Sequence, residues 1–107
     1  MTRTSPKPWV ILLALGASSC RGREMASAAQ CERLLNEYVD LELSEDARAR
    51  SMTSEERAAL RGRLAVESRR DPTVRRVATR CQSEVTEDAF KCAVAARTSK
   101  AWSDCVR

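Results

Sequence analysis

The sequence predicts an all-α fold, a small bundle of three to four helices stapled by two disulfides. Apolar residues recur at helical spacing through most of the chain, so each segment has one greasy face and one charged face. From position 20 onward the only glycines and prolines are Gly22, Gly62 and Pro72, which is too little turn chemistry for a β fold. The same stretch holds four cysteines besides Cys20 and few large aliphatic residues, so covalent cross-links must make up for a thin core.

The first helix is expected over 28–43, where Cys31, Leu34, Leu35, Tyr38 and Leu41 fall at i, i+3, i+4, i+7 and i+10. Its outer face carries Glu32, Glu37, Asp40 and Glu42, with Arg33 one turn from Glu37. Ser44 to Ser51 has no stripe and reads as a turn. Thr53-Ser54-Glu55-Glu56 signs a second helix, with a capping residue, Glu three positions on, and two acids in the first turn. Its apolar positions are Leu60, Leu64 and Val66, and Gly62 costs it about 1 kcal/mol relative to Ala. Asp71-Pro72 ends that helix and starts a third. Val74, Val77, Ala78, Cys81 and Val85 then share a face that continues through Ala89, Cys92 and Ala96, which suits one helix over 72–97. Thr86 before Glu87 and Asp88 reads equally as a fresh cap, with Phe90 and Val94 pointing away from the Cys81 face, which suits two helices meeting near 86. Ser99 is expected to cap a short last segment bearing Trp102 and Cys105. Trp102 and Tyr38, each near a cysteine on a helix, are assigned to the core.

At the N-terminus, Arg3 and Lys7 precede nine apolar or small residues, Trp9 to Ala17, far short of the roughly 20 that span a membrane. Pro6 and Pro8 also argue against a spanning helix. The plan is that of an export signal, and export leads to an oxidising compartment. Leu15-Gly16-Ala17-Ser18-Ser19-Cys20 resembles the lipobox of bacterial lipoproteins. The resemblance implies a diacylglycerol on the Cys20 thiol, cleavage before it, and anchorage to a membrane of the cell envelope, with the outer membrane or cell surface favoured. The chain then divides into a signal peptide (1–19), a polar tether (20–27) and a helical domain (28–107). Cleavage after Ser19 without lipid, or at Ala26-Ser27-Ala28, stays open as the alternative and would release a secreted, soluble protein. Parity favours the lipid: five cysteines cannot all pair, whereas setting Cys20 aside leaves four.

Residues 20–107 contain six Leu, seven Val, one Phe and no Ile. These 14 of 88 positions, about 16%, lie under the roughly 20% below which folding becomes doubtful. Two disulfides at about 2 to 4 kcal/mol each could make up the difference. Cys31, Cys81, Cys92 and Cys105 allow three pairings. In a single helix over 72–97, Cys81 and Cys92 would stand roughly 16 Å apart, beyond the limit of about 7 Å for a bridge. Cys31–Cys81 and Cys92–Cys105 would then pair. A break at Thr86 readmits Cys81–Cys92, so connectivity stays open. The intervening spacings of 49, ten and twelve residues suit neither a zinc site nor a C-x-x-C redox pair, and no metal or cofactor is expected.

Sixteen of the nineteen basic residues are Arg, and the formal net charge is +4. Residues 24–46 hold seven acids and only Arg33, whereas residues 47–80 hold ten Arg against four acids. Either an acidic first helix lies against a basic middle, or the arginines serve an outside partner. On the second view Arg57, Arg61, Arg63, Arg69, Arg70, Arg75, Arg76 and Arg80 form a surface for anionic lipid headgroups, an anionic cell-wall polymer or an acidic envelope protein. Nucleic acid is not expected, since no aromatic residue interleaves the arginines for base stacking. With no His, Ser/His/Asp and Cys/His catalysis drop out. No Gly-rich phosphate loop, S-x-x-K or G-x-S-x-G occurs, and no enzyme is expected.

Cys31-x-x-Leu34-Leu35-x-x-Tyr38-Val39, then Cys81, Phe90-Lys91-Cys92-Ala93 and Trp102-x-x-Cys105 together resemble small cysteine-paired envelope proteins of myxobacteria. That resemblance implies export and a helical fold, and no mechanism. The expectation is a non-enzymatic, lipid-anchored binding or structural module, the alternative being a soluble secreted inhibitor or effector acting on another protein.

Overall fold

Every helix starts on a side-chain oxygen that accepts a backbone N–H. The structure is a computed structural model that describes residues 24–107. It contains α1 (Ala28–Glu45), a 3-10 turn (Ala47–Ser51), α2 (Ser54–Ser68), α3 (Pro72–Glu84), α4 (Glu87–Val94) and α5 (Ser99–Val106). Ser27 and Gln30 form a reciprocal box at the start of α1, and Thr53 and Glu56 do the same for α2. Asp71 caps α3 ahead of Pro72, and Thr86 caps α4. The last cap is Thr98 rather than the expected Ser99. Ser99 is otherwise engaged, its N–H and hydroxyl both donating to the Glu45 carboxylate at 2.8 and 2.7 Å, which seats the start of α5 on the end of α1.

The interval 72–97 is two helices. Val85 and Thr86 are extended, with ψ of 122° and 163°, and their backbone pairs with the chain just before α1. Ala26 N–H donates to the Val85 carbonyl at 2.8 Å and Glu87 N–H to the Glu24 carbonyl at 2.9 Å, around an antiparallel bridge between Met25 and Thr86. A continuous helix would bury that backbone in its own ladder and leave Ala26 without a partner. The break also rotates the inward face, so that α4 buries Phe90 and Ala93 while Cys92 is exposed. The expected tether of 20–27 is correspondingly too long: Ala26 is 3% exposed and Ser27 caps α1, so residues 24–27 belong to the fold.

α1 is the hub, packing against α2, α3, α4 and α5. The core gathers Leu34 and Tyr38 from α1, Val74, Val77 and Cys81 from α3, Phe90 and Ala93 from α4, and Trp102 and Val106 from α5, with Ala26 and Val85. Trp102 is fully buried, its ring centroid 4.7 Å from that of Tyr38 in a tilted arrangement. Its indole N–H donates to the Leu34 carbonyl at 3.1 Å, so the largest side chain of the core leaves no buried polar atom unmatched. Leu60 of α2 is buried as well, but outside this cluster, as are Val39 and Ala49. Val66 was expected on the same stripe and stands 70% exposed. Six residues after Leu60 carries it 240° around the helix, onto the outer side.

Cys31 pairs with Cys81, and Cys92 with Cys105, at Cα separations of 5.9 and 5.7 Å. This is the pairing favoured on the premise of one helix over 72–97. The premise fails and the pairing holds, because Cys81 faces α1 before the break while Cys92, after it, faces α5. In the chain-entropy account, closing loops of 50 and 13 residues contributes about 4 and about 3 kcal/mol. Cys31→Ala/Cys81→Ala is therefore expected to lower the unfolding free energy by about 1 kcal/mol more than Cys92→Ala/Cys105→Ala, as read by urea titration. A Cβ at Gly62 would meet no atom within 4 Å, and its helical backbone suits any L residue. Gly62→Ala is expected to raise stability by about 0.8 kcal/mol, seen as a higher urea midpoint with unchanged slope.

Candidate functional site

The eight arginines singled out by charge do not make one surface. Arg57 donates to the Ala49 carbonyl at 2.9 Å and fastens the start of α2 to the 3-10 turn. Arg61 reaches back to α1, binding the Asp40 carboxylate at 2.9 Å and the Asn36 carbonyl at 3.4 Å. That pair realises the acidic-helix-on-basic-helix arrangement at one point of contact. Both partners are more than a third exposed, so it orients the helices more than it stabilises them. Arg76 donates to Glu84 at 3.3 Å and to the Val106 carbonyl, tying α3 to the last turn of α5. Arg80 lies 3.6 Å from the same Glu84. Arg63, Arg69, Arg70 and Arg75 are exposed and form no ion pair among the described residues.

Two hollows remain on the basic side. One, of about 280 Å³, lies on the outer face of α3 and is lined by Pro72, Arg75, Arg76, Thr79 and Arg80. Thr79 was not singled out from sequence, although it sits one turn from Arg75 on the same face. Its hydroxyl donates to the Arg75 carbonyl at 2.9 Å, so the donors aimed outward are the guanidiniums. The other hollow, of about 530 Å³, runs over the Cys31–Cys81 bond between α1 and α3, with Leu35, Val77 and Ala78 along it and Arg69 and Arg80 among its charged lining. Arg80 and Thr79 belong to both. A third depression, between Asp40, Asp46, Arg50 and Arg57, has charges of both signs and no preference for an anion.

On α1 the expected Arg33–Glu37 pair is present at 3.7 Å, and the Arg33 guanidinium lies 5.9 Å over the Phe90 ring. Asp46 grips Arg48 at 3.0 and 2.7 Å through two side-chain bonds. Those bonds, with one from the Arg48 backbone, hold its carboxyl down at about 2. Burial pushes the Glu42 carboxyl up. Among the described residues no group of His, Cys, Asp and Glu is set to hold a metal, and no helix is long and apolar enough to cross a membrane. Cys20, the expected lipidation site, lies outside the described residues.

Compared with family models, curated proteins and solved structures, the chain matches none. Its class rests on its own geometry: a small all-α domain closed by two disulfides, at home in an oxidising compartment outside the cytoplasm.

Tyr38 is the only tyrosine of the chain, so its titration can be followed directly. Burial first, then the carboxylates of Glu42, Asp71 and Glu45, push its pKa up to about 12. An unfolded tyrosine titrates near 10, so the folded state holds the phenolic proton more tightly. Its contribution to stability is fully present below about pH 10 and is lost as pH rises through the folded value. Ultraviolet titration of the native protein should give a midpoint near 12, and Tyr38→Phe should remove this part of the alkaline decline.

Proposed function

We propose that the chain is an exported, lipid-anchored module of the cell envelope that acts by binding another envelope component rather than by catalysis. The observation that carries this reading is the cysteine ledger. Cys31, Cys81, Cys92 and Cys105 satisfy one another, which leaves Cys20 as the odd thiol in the one sequence context that resembles a lipobox. The likeness to cysteine-paired envelope proteins of myxobacteria and the need of the fold for an oxidising compartment support it. So does the absence of His from the sequence, which removes the commonest general base.

The start of the folded region bears on the rival cleavage site. Processing at Ala26-Ser27-Ala28 would strip away the buried Ala26, its hydrogen bond to Val85, and the Ser27 cap with its reciprocal bond to Gln30. Losing the cap alone costs a helix about 1 kcal/mol. Processing before Cys20 keeps all of them and leaves a four-residue link, 20–23, between lipid and fold. Two or more acyl chains on that cysteine would hold the domain firmly, where a single chain gives marginal binding.

Mass spectrometry of the mature N-terminus decides between the readings. A diacylglyceryl adduct on Cys20 is the expected result, and Cys20→Ala should leave the protein unprocessed or soluble. A free amine at Cys20 or at Ala29 would replace the anchored module with a secreted inhibitor or effector.

A further inference from the structure

The outer face of α3 presents an unusual concentration of one charge. Arg75, Arg76 and Arg80 converge with Thr79 and Pro72 on a hollow of about 280 Å³ in which no acid takes part in the lining. Each guanidinium carries five N–H donors in a fixed planar fork suited to oxyanions. Arg76 has donors committed to Glu84 and Val106, and Arg80 has one long contact to Glu84. Arg75 has no side-chain partner among the described residues. Three guanidiniums against the single carboxylate of Glu84 leave this face with a local charge of about +2 at neutral pH.

The position of the face in the chain says what anion it meets. Glu24 is bonded to Glu87 and Ala26 to Val85, so the N-terminal end of the fold is fastened beside the C-terminal end of α3. A link of four residues spans at most about 14 Å. Arg80 and Arg75 lie about 8 and about 15 Å along the chain from Val85 by helical rise. A lipid on Cys20 would therefore keep both arginines within reach of the bilayer surface.

We propose that the Arg75, Arg76 and Arg80 face of α3 docks on anionic phospholipid headgroups of the membrane that holds Cys20. This rests on the lipid-anchored reading above and extends it from the anchor to the posture of the domain. The domain lies with α3 against the bilayer, guanidiniums on headgroup phosphates. α2 is left free to meet a partner.

The test uses the chain from position 20 with Cys20→Ser, which keeps every described residue and both disulfides but carries no lipid. Co-sedimentation is measured with vesicles of phosphatidylcholine containing phosphatidylglycerol, and with phosphatidylcholine alone. Binding is expected only to the anionic vesicles, and it should weaken as salt is raised. Arg75→Gln/Arg80→Gln, two exposed side chains on which no packing depends, should weaken it about 30-fold. Arg75→Lys/Arg80→Lys should retain most of it. Arg50→Gln/Arg97→Gln removes the same charge from two exposed residues outside α3, in the 3-10 turn and in the connection between α4 and α5, and should leave it near the parent value. Equal binding to neutral vesicles, or an equal loss in the Arg50/Arg97 variant, would overturn the proposal. So would displacement from vesicles by inorganic phosphate at constant ionic strength, or binding of an anionic polysaccharide with vesicles ignored. Because the probe carries no lipid, each of those results leaves the acylation measurement on Cys20 untouched, and an unacylated Cys20 leaves vesicle binding to be read on its own.

Discussion

The bond between Cys31 and Cys81 joins the first turn of α1 to the last turn of α3, and the rest of the structure is arranged around that junction. With those ends fixed, Leu34 and Tyr38, one and two turns along α1, share one core cluster with Val77 and Val74 of α3. The pair makes a trough that Trp102 fills, with its indole N–H on the Leu34 carbonyl. Few large aliphatic side chains are available, so the sites that exist must be filled completely. A core of this size would be marginal without covalent help. The second disulfide has a more local duty, clamping the eight-residue α5 to α4 so that Trp102 stays seated.

Charge plays a secondary part in holding the molecule together. The acidic α1 does lie beside the basic α2 and α3, yet only the Asp40–Arg61 pair joins α1 to either of them among the described residues. The arginines with structural duties use backbone carbonyls as well as carboxylates: Arg57 bonds Ala49, Arg61 bonds Asn36 beside Asp40, and Arg76 bonds Val106 beside Glu84. The Val106 carbonyl, at the end of α5, lacks an intrahelical partner, and a guanidinium can satisfy it without requiring a buried carboxylate. What is left over, chiefly on α3 and at its corner with α2, is positive charge facing solvent.

The extended residues before α1 are part of the fold. Glu24 to Ala26 do not hang from the domain but pair with the α3–α4 junction, and that pairing coincides with the break between those helices. An anchor upstream of Glu24 would thus pull on the backbone of the core rather than on a loose end.

The sequence by itself determined that the chain is helical, the caps at Thr53 and Asp71, and the need for disulfides, because capping, periodicity and core composition are local properties of a chain. It left undecided whether 72–97 is one helix or two, since the reason for the break is a hydrogen-bonded neighbour sixty residues away. Val66 looked like core because its stripe was judged by composition and not by angle, and residues 24–27 looked like tether because one small buried side chain has no polarity signal. The eight arginines were visible as a run, yet their division into structural and free members depends on which carbonyls and carboxylates the fold brings within reach. Such pairings are properties of three-dimensional proximity, and only the tertiary structure could decide them.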